Sequence, residues 1–286
     1  MDKSIIRAKT LVEALPYIQK FNNKIIVIKY GGSAMIDEEL KMSVIKDISL
    51  MKLVGIKPVV VHGGGKKISE MLVKIGKEPK FIQGLRVTDD ETMEIVEMVL
   101  SGNVNKEIVQ LFEKQGIKSV GISGKDGRSI IAKKKLLDGV DIGWVGEIDT
   151  IQTELITAII EKNFIPVIAP IACDEDNNTY NINADYVAGA IAAELGAEKL
   201  IYLTDVEGVL RDVKDKTSLI SKIKVDEIQK YKDDKIIQGG MIPKVDCCAE
   251  SIKNGVAGVH ILDGRVEHSI LLELFTNSGI GTMLMP

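Results

Sequence analysis

With 286 residues, 45% of them hydrophobic, the chain is long enough to bury a large core, as one big domain or as two lobes. Lys and Arg (37) against Asp and Glu (41) leave a formal net charge of −4, without the basic balance that marks nucleic-acid binders, so chemistry on a small molecule is expected. The longest apolar runs fall far short of the ~20 residues of a membrane span, no leader-like segment opens the chain, and Cys173, Cys247 and Cys248 fit no zinc spacing, so buried inert thiols in a reducing, cytoplasmic compartment are expected.

The first segment, "SIIRAKTLVEALPYIQKF", places Ile5, Leu11 or Val12, Leu15 and Ile18 on one helical face. A free amphipathic helix of that size is marginal in water and needs a surface to cover it, its own domain's or a neighbour's. Residues 25–29 are a β-branched run that reads as a strand. Leu40, Val44, Ile48 and Met51 then recur at helical spacing until Gly55 ends the segment. "KPVVVHGGGKKISEML" repeats the order of strand, glycine turn and helix start, and "FIPVIAP" and "KLIYLTDVEGV" supply two more buried strands. Helices are expected over 92–100, 105–114, 154–161 and 184–195. Such alternation predicts an α/β fold, a mostly parallel sheet with helices on both faces. Gly-Asp turn signals in "VGISGKDGRSIIAKKK" and "DIGWVGEID" predict hairpins laid on that sheet. No repeat or low-complexity linker occurs, and the polar residues 173–181 are the best place for a lobe boundary.

Ligands of open parallel sheets collect beyond the carboxyl ends of the strands. Two glycine-rich loops fall there: "KYGGS", with Lys29, Gly31 and Gly32, and "HGGGKK", with Gly63, Gly64 and Gly65. Glycines let the backbone approach a ligand, and the helices that follow offer free N–H groups to phosphate or carboxylate. Neither loop matches the familiar phosphate-loop or dinucleotide signatures, and each alone could be a tight strand-to-helix turn. Near the other end, "IQGGMIPKVD" sets Lys244 behind a glycine pair. Between them Asn181, Asn183 and Asp185 crowd the start of an Ala-rich helix, where Asn183 or Asp185 could simply be its cap. Asp205 and Gly208 leave a strand, as a turn or as part of a site.

Taken in order, "KYGGSAM", "VHGGGKKI", "GLRVTD", "VGISGKDG", "DIGWVGEI", "IPVIAPI", "YNINADYVA", "LTDVEGVL" and "GGMIPKV" resemble the motifs of the amino acid kinase family over nearly the whole chain. Within it they are most similar to those members that phosphorylate the γ-carboxylate of N-acetyl-L-glutamate with ATP and Mg²⁺, the second step of arginine biosynthesis. The resemblance implies a three-layer αβα sandwich forming one domain over 1–286, with acetylglutamate held by residues 23–175, which also dimerise, and ATP by 176–286. It gives Lys29 and Lys244 the transferring phosphoryl group, Asp185 the orientation of both lysines, and the backbone of Gly31, Gly32, Gly63 and Gly64 the phosphate oxygens. Acetylglutamate falls to Gly64, Gly65, Arg86 and Asn181. ATP falls to Asp205, Val206, Glu207, Gly208, Val209 and Leu210, and to Gly239, Gly240 and Met241, with Mg²⁺ arriving on the nucleotide. His62 is read as structural. A one-carbon-longer acetylaminoadipate is the alternative acceptor, and a regulator without catalysis the alternative class.

The arrangement at the two ends is similar to the arginine-inhibited members, in which an amino-terminal helix, here within 1–22, links three dimers into a hexamer. "EHSILLELFTNSGIGTM" resembles their arginine-site signature and supplies His268, Glu273, Gly279 and Gly281. The resemblance leaves open whether a PII-type signalling protein binds.

Overall fold

The computed structural model describes residues 3–277 and 279–286; of the expected amino-terminal segment, residues 1 and 2 lie outside them. The single helix expected there is two: α1 (Lys3–Glu13) and α2 (Leu15–Phe21). The break falls at Ala14 because Pro16 lies in the first turn of α2, where a residue lacking N–H is tolerated, whereas inside a continuous helix it would clash with the preceding turn. The apolar face of α1 is uncovered: Leu11 is 75% and Val12 68% exposed.

β1 (Ile25–Tyr30) leads into α3 (Glu38–Leu53), whose N-cap Asp37 accepts hydrogen bonds from the amides of Glu39 and Leu40. β2 (Lys57–His62) leads likewise into α4 (Gly65–Lys74). A small antiparallel pair, β3 (Phe81–Ile82) and β4 (Leu85–Arg86), precedes α5 (Asp90–Glu97). The helices expected over 92–100 and 105–114 turn out to be joined: a π turn, Met98–Val104, runs from α5 directly into α6 (Asn105–Lys114). Ser101, Gly102 and Asn103 read as a break in sequence, yet the chain keeps turning there with a wider pitch.

β5 (Ser119–Ser123) follows, then β6 (Ile130–Leu137) and β7 (Val140–Ile151), then α7 (Glu154–Glu161), β8 (Ile165–Ala169), β9 (Ile171–Cys173), β10 (Thr179–Asn181) and α8 (Ala184–Glu194). The remaining elements are β11 (Lys199–Thr204), β12 (Lys222–Lys224), α9 (Ile228–Asp233), α10 (Met241–Lys253), β13 (Val259–Asp263), α11 (Ser269–Leu274) and β14 (Thr282–Met285).

Eight strands form one sheet in the order β12-β14-β13-β11-β1-β2-β8-β5, parallel throughout except where β14 runs antiparallel to β13. Side chains alternate between its faces. Val27, Val59, Ile168, Leu200 and Ile261 join α7, α8 and α10 in one apolar core, while Ile26, Ile28, Val60, Val167 and Leu203 join α3 to α6 and α11 in another. Two buried faces require the continuous apolar strands seen in the sequence, and the result is the expected three-layer αβα sandwich. The hairpin expectation holds only in part. β6 and β7 pair around Asp138 and Gly139, but β5 is the edge strand of the main sheet, because Val120 and Ile122 pack onto it through β8. β6, β7, β9 and β10 close on one another as a second, smaller sheet. Residues 173–181 form the turn and second strand of the β9–β10 hairpin, whose turn is held by Asp174 accepting from the amide and side chain of Asn178 and from the Tyr180 hydroxyl. No helix among the described residues is long and apolar enough to cross a membrane.

Candidate active site

Because β1, β2, β8, β11 and β13 are parallel, their carboxyl ends share one edge of the sheet. Lys29, next to last in β1, lies two residues beyond Val27 and so projects to the same face, toward α8. There Asn183 caps α8, its side chain accepting from the Asp185 amide at 2.8 Å, so Asp185 in the first turn is free to point elsewhere. Its Oδ1 lies 3.0 Å from Lys29 Nζ and its Oδ2 4.0 Å from Lys244 Nζ. Lys244 comes from the first turn of α10, beside α8 on the same face. One carboxylate thus lies between two ammonium groups, and all three side chains are partly open to solvent. The net positive charge faces whatever enters.

The glycine loops close on the same point. A side chain at Gly31 would put its Cβ 2.7 Å from Lys29 Nζ, displacing the ammonium, and Gly32 holds a φ of +70°, which favours glycine. Ser33, next in the loop, donates its amide to Asp205 Oδ1 at 2.7 Å, bringing the end of β11 against the end of β1. The Gly63 amide donates to the Tyr30 carbonyl at 2.8 Å, so the second loop is fastened to the first. The N–H groups of Gly32, which opens a short 3-10 turn (Gly32–Met35), and of Gly64, the N-cap of α4, find no acceptor among the described residues, as expected where a helix begins.

Arg86 ends β4 and is only 7% exposed. Its Nη2 donates to the Gly65 carbonyl at 2.7 Å and to Ser69 Oγ at 2.9 Å, its guanidinium lies 4.7 Å above the Phe81 ring, and its buried Nη1 has no partner among the described residues. Burial lowers its pKa. A buried guanidinium with no carboxylate beside it is costly unless an anion completes it. Asn181 is brought to the same place indirectly: its Nδ2 donates to Thr88 Oγ1 at 3.3 Å, and that hydroxyl donates to the Arg86 carbonyl at 2.8 Å. Thr88 and Ser69 were not singled out in the sequence. Ser69 could have been, standing one helical turn after Gly65.

After β11, Glu207 is ion-paired with Lys216 at 2.9 Å and with Arg265 at 3.5 Å, and Arg265 also forks onto Asp263. The Val209 amide donates to Thr282 Oγ1 at 2.8 Å. These contacts hold residues 205–210 over the ends of β11 and β13, across the Lys29 loop from Arg86. Gly239, Gly240 and Met241 lead into α10 ahead of Lys244. Of the four residues of the carboxy-terminal signature, Gly279 and Gly281 lie against Glu273, while His268 bonds elsewhere. Glu273 accepts from the amides of Ile280 and Gly281 at 2.7 and 3.1 Å and bonds His260 Nδ1 at 2.6 Å, whereas His268 bonds Asp47 and Ser43 of α3. Burial alone would raise the Glu273 pKa, but His260 and the two amides outweigh it and hold it low. His260 and the buried Lys199 nearby were not anticipated.

His62 is fully buried at the end of β2. Its Nδ1 donates to the Gly63 carbonyl at 2.9 Å and its Nε2 accepts from Asn105 Nδ2 at 3.1 Å, so the ring is neutral, with its pKa pushed down to about 4, chiefly by burial.

The chain is similar to proteins already known. A profile of the amino acid kinase family matches residues 24–263. The chain is 55% identical over 280 residues to an acetylglutamate kinase of Thermoanaerobacter pseudethanolicus, covering 98% of this chain and 93% of that one. It is likewise 55% identical over 292 residues to an acetylglutamate kinase of Desulfitobacterium hafniense, covering 99% and 98%. Among solved structures it resembles N-acetylglutamate synthase from Neisseria gonorrhoeae complexed with coenzyme A and N-acetyl-glutamate, with a TM-score of 0.85 at 25% identity; 98% of this chain is covered, but it spans only 63% of the synthase. The Giardia carbamate kinase matches at TM-score 0.68 and 18% identity, covering 92% of this chain and 99% of that one, a likeness of fold.

The buried neutral histidine gives a pH dependence of known sign. Its folded pKa lies below the ordinary value of 6.5, so as pH falls from 6.5 toward 4 the unfolded chain takes up a proton that the folded chain refuses, and stability drops. Between pH 7 and 5 the native chain is expected to lose about 2 kcal/mol more than His62→Gln, read from urea midpoints at each pH. Parallel losses in the two proteins would mean that His62 titrates normally.

Proposed function

The chain belongs to the amino acid kinase family, and from that premise we propose that it transfers the γ-phosphoryl group of ATP to the side-chain carboxylate of N-acetyl-L-glutamate, giving N-acetyl-L-glutamyl 5-phosphate and ADP in arginine biosynthesis. Relatives at 55% identity over nearly the whole chain are acetylglutamate kinases. The observation that carries the residue assignment is the convergence of Lys29 and Lys244 on Asp185 beside two glycine loops.

In the reaction a carboxylate oxygen of the acceptor forms a bond to the γ-phosphorus while the bond to the ADP oxygen breaks. A side-chain carboxylate with a pKa near ~4.3 is already ionised at neutral pH, so no proton is removed and no general base is needed. The fully buried His62 is accordingly given no chemical step. Negative charge spreads over the equatorial phosphoryl oxygens as transfer proceeds. Lys29 and Lys244 face it from two elements, and the free amides of Gly32 and Gly64 add neutral donors whose positions are set in advance. Asp185 keeps the ammonium groups from repelling each other out of place. The Gly31 and Gly63 backbone lets the phosphates approach.

Arg86 takes the α-carboxylate of acetylglutamate through Nη1, which has no other partner among the described residues, with Gly64, Gly65 and Asn181 around the rest of the acceptor. Asp205, Val206, Glu207, Gly208, Val209 and Leu210, with Gly239, Gly240 and Met241, surround ATP, which brings Mg²⁺ with it. Residues 23–175 thus serve the acceptor and 176–286 the nucleotide, and the reaction runs in the cytoplasm, where three free buried thiols stay reduced.

We further propose feedback inhibition by L-arginine in a hexamer linked through the amino-terminal helices. Its support is the uncovered apolar face of α1, the hydrogen bond from the Tyr17 hydroxyl of α2 to Asn277 in the carboxy-terminal loop, and the buried Lys199, which has no ion pair among the described residues and lies within electrostatic range of Glu273. Both Glu273 oxygens are occupied, so an arginine guanidinium binds there by exchanging places with His260 or with the loop containing Gly279 and Gly281. His268, tied to α3, acts by holding α11 in place. A PII-type protein would need a surface of its own.

ADP release measured with acetylglutamate, acetylaminoadipate and glutamate side by side tests the acceptor; acetylglutamate is expected to be preferred by more than about tenfold. Arg86→Ala should weaken acetylglutamate by about 2 kcal/mol and leave ATP binding nearly intact. Calorimetry showing equal losses for both ligands would make Arg86 structural. For regulation, light scattering is expected to give a hexamer inhibited by arginine, with Glu273→Ala desensitised yet active. A dimer that keeps full activity in millimolar arginine would remove the regulatory assignment alone.

A further inference from the structure

We propose that His62 and Asn105 act as a pair of positioning residues for phosphoryl transfer, fixing the Gly63–Gly64 peptide so that the Gly64 amide points at the transferring group, and that the π turn Met98–Val104 exists to place that pair. The inference rests on the phosphoryl-transfer reading of the site.

The starting point is the planarity of a trans peptide, in which the carbonyl oxygen of one residue and the N–H of the next point in opposite directions. His62 Nδ1 donates to the Gly63 carbonyl at 2.9 Å. Whatever holds that carbonyl also aims the Gly64 N–H, the amide that finds no acceptor among the described residues. Glycine loops flip their peptides readily, so an unpinned loop would spread this donor over several directions.

The histidine can hold the carbonyl only as the tautomer with hydrogen on Nδ1. Asn105 selects that tautomer, because its Nδ2 donates to Nε2 at 3.1 Å and a second N–H on Nε2 would face it. Asn105 is itself fixed: the same Nδ2 donates to the Val167 carbonyl of β8 at 2.9 Å, and its Oδ1 accepts from Lys106 Nζ at 3.1 Å. Both residues are fully buried. Their hydrogen bonds are satisfied within a wall of Val and Ile, where an apolar pair would fill the same space without needing partners.

The π turn supplies the geometry. The Asn105 amide donates to the Leu100 carbonyl, five residues back, so the two residues stack on one side of the helix instead of diverging as they would in an α-helix. Leu100 then packs against the other flank of the loop: a Cβ on Gly64 would come 2.4 Å from Leu100 Cδ2. The Gly63–Gly64 peptide is thereby held by a hydrogen bond on one side and by a methyl group on the other.

The test compares variants that restore different atoms of the imidazole. In His62→Asn the side-chain amide nitrogen falls near the lost Nδ1 and can still donate to Gly63; in His62→Gln the amide lies near Nε2 and cannot. Loss of one oriented donor costs ~10²–10³ in kcat, so a misdirected one is expected to lower kcat by about tenfold or more in His62→Gln, with KM for ATP within about twofold, while His62→Asn recovers most of the rate. Asn105→Ser should match His62→Gln, and the double variant should be no slower than either. Melting temperature is read on each protein, with rates taken well below it. Equal impairment of the Asn and Gln variants, unchanged kcat with lowered melting temperature, or losses that multiply in the double variant would each overturn the proposal. If the unaltered enzyme releases no ADP with acetylglutamate, it is the underlying functional reading that falls.

Discussion

The site depends on one carboxylate standing between two ammonium groups. Lys29 and Lys244 come from the first strand and the tenth helix of the fold, and without an anion between them their repulsion would drive both out toward water. Asp185 supplies that anion at 3.0 and 4.0 Å. The arrangement leaves a net positive charge with its geometry already set, which is what stabilises a phosphoryl group whose charge is spread over three oxygens. The carboxylate can do this only because another residue, Asn183, has taken over the capping of α8.

The sandwich delivers these groups through elementary strand and helix geometry. Parallel strands put all their carboxyl ends on one edge, alternation sends Lys29 to the α8 face, and the apolar faces of α8 and α10 lay their first turns side by side on that face. Arg86 is buried and incompletely paired: its Nη2 donates to Gly65 and Ser69, and its Nη1 has no partner among the described residues. The Phe81 ring over it and the Gly65 carbonyl offset part of the cost of burying that guanidinium. Arg86 and the amides share an anchor, since Gly65 accepts from Arg86 while the loop before it is fastened to Tyr30 and His62.

Much of this was legible in the residues. The apolar runs within 25–29, 57–62 and 199–204 are strands whose Val, Ile and Leu side chains fill both buried faces of the sheet, and the glycine loops after the first two lie at the ligand edge. What periodicity could not supply was the meeting of Lys29, Asp185 and Lys244. Nothing in their spacing brings them together, and that expectation came from resemblance to a family. Three local readings failed for physical reasons. Two helices were expected, ending at 100 and starting at 105, but a π turn joins them and sets Leu100 against Gly64 and Asn105 against His62. Residues 119–123 looked like half of a hairpin because turn signals follow them, whereas β8 offers a parallel partner. Pro16 splits the amino-terminal helix that its apolar face suggested was continuous. His260 and Thr88 were overlooked because their roles are second contacts, visible only once Glu273 and Asn181 have been placed.

Everything at the site depends on Asp185 working through both lysines. The most direct test is a pair of double-mutant cycles on kcat, Asp185→Asn with Lys29→Met and Asp185→Asn with Lys244→Met. If the carboxylate acts by holding the lysines, each double variant should be faster than the product of the single losses predicts, by about tenfold or more. Losses that multiply in both cycles would show that Asp185 acts independently of the lysines and would contradict the account.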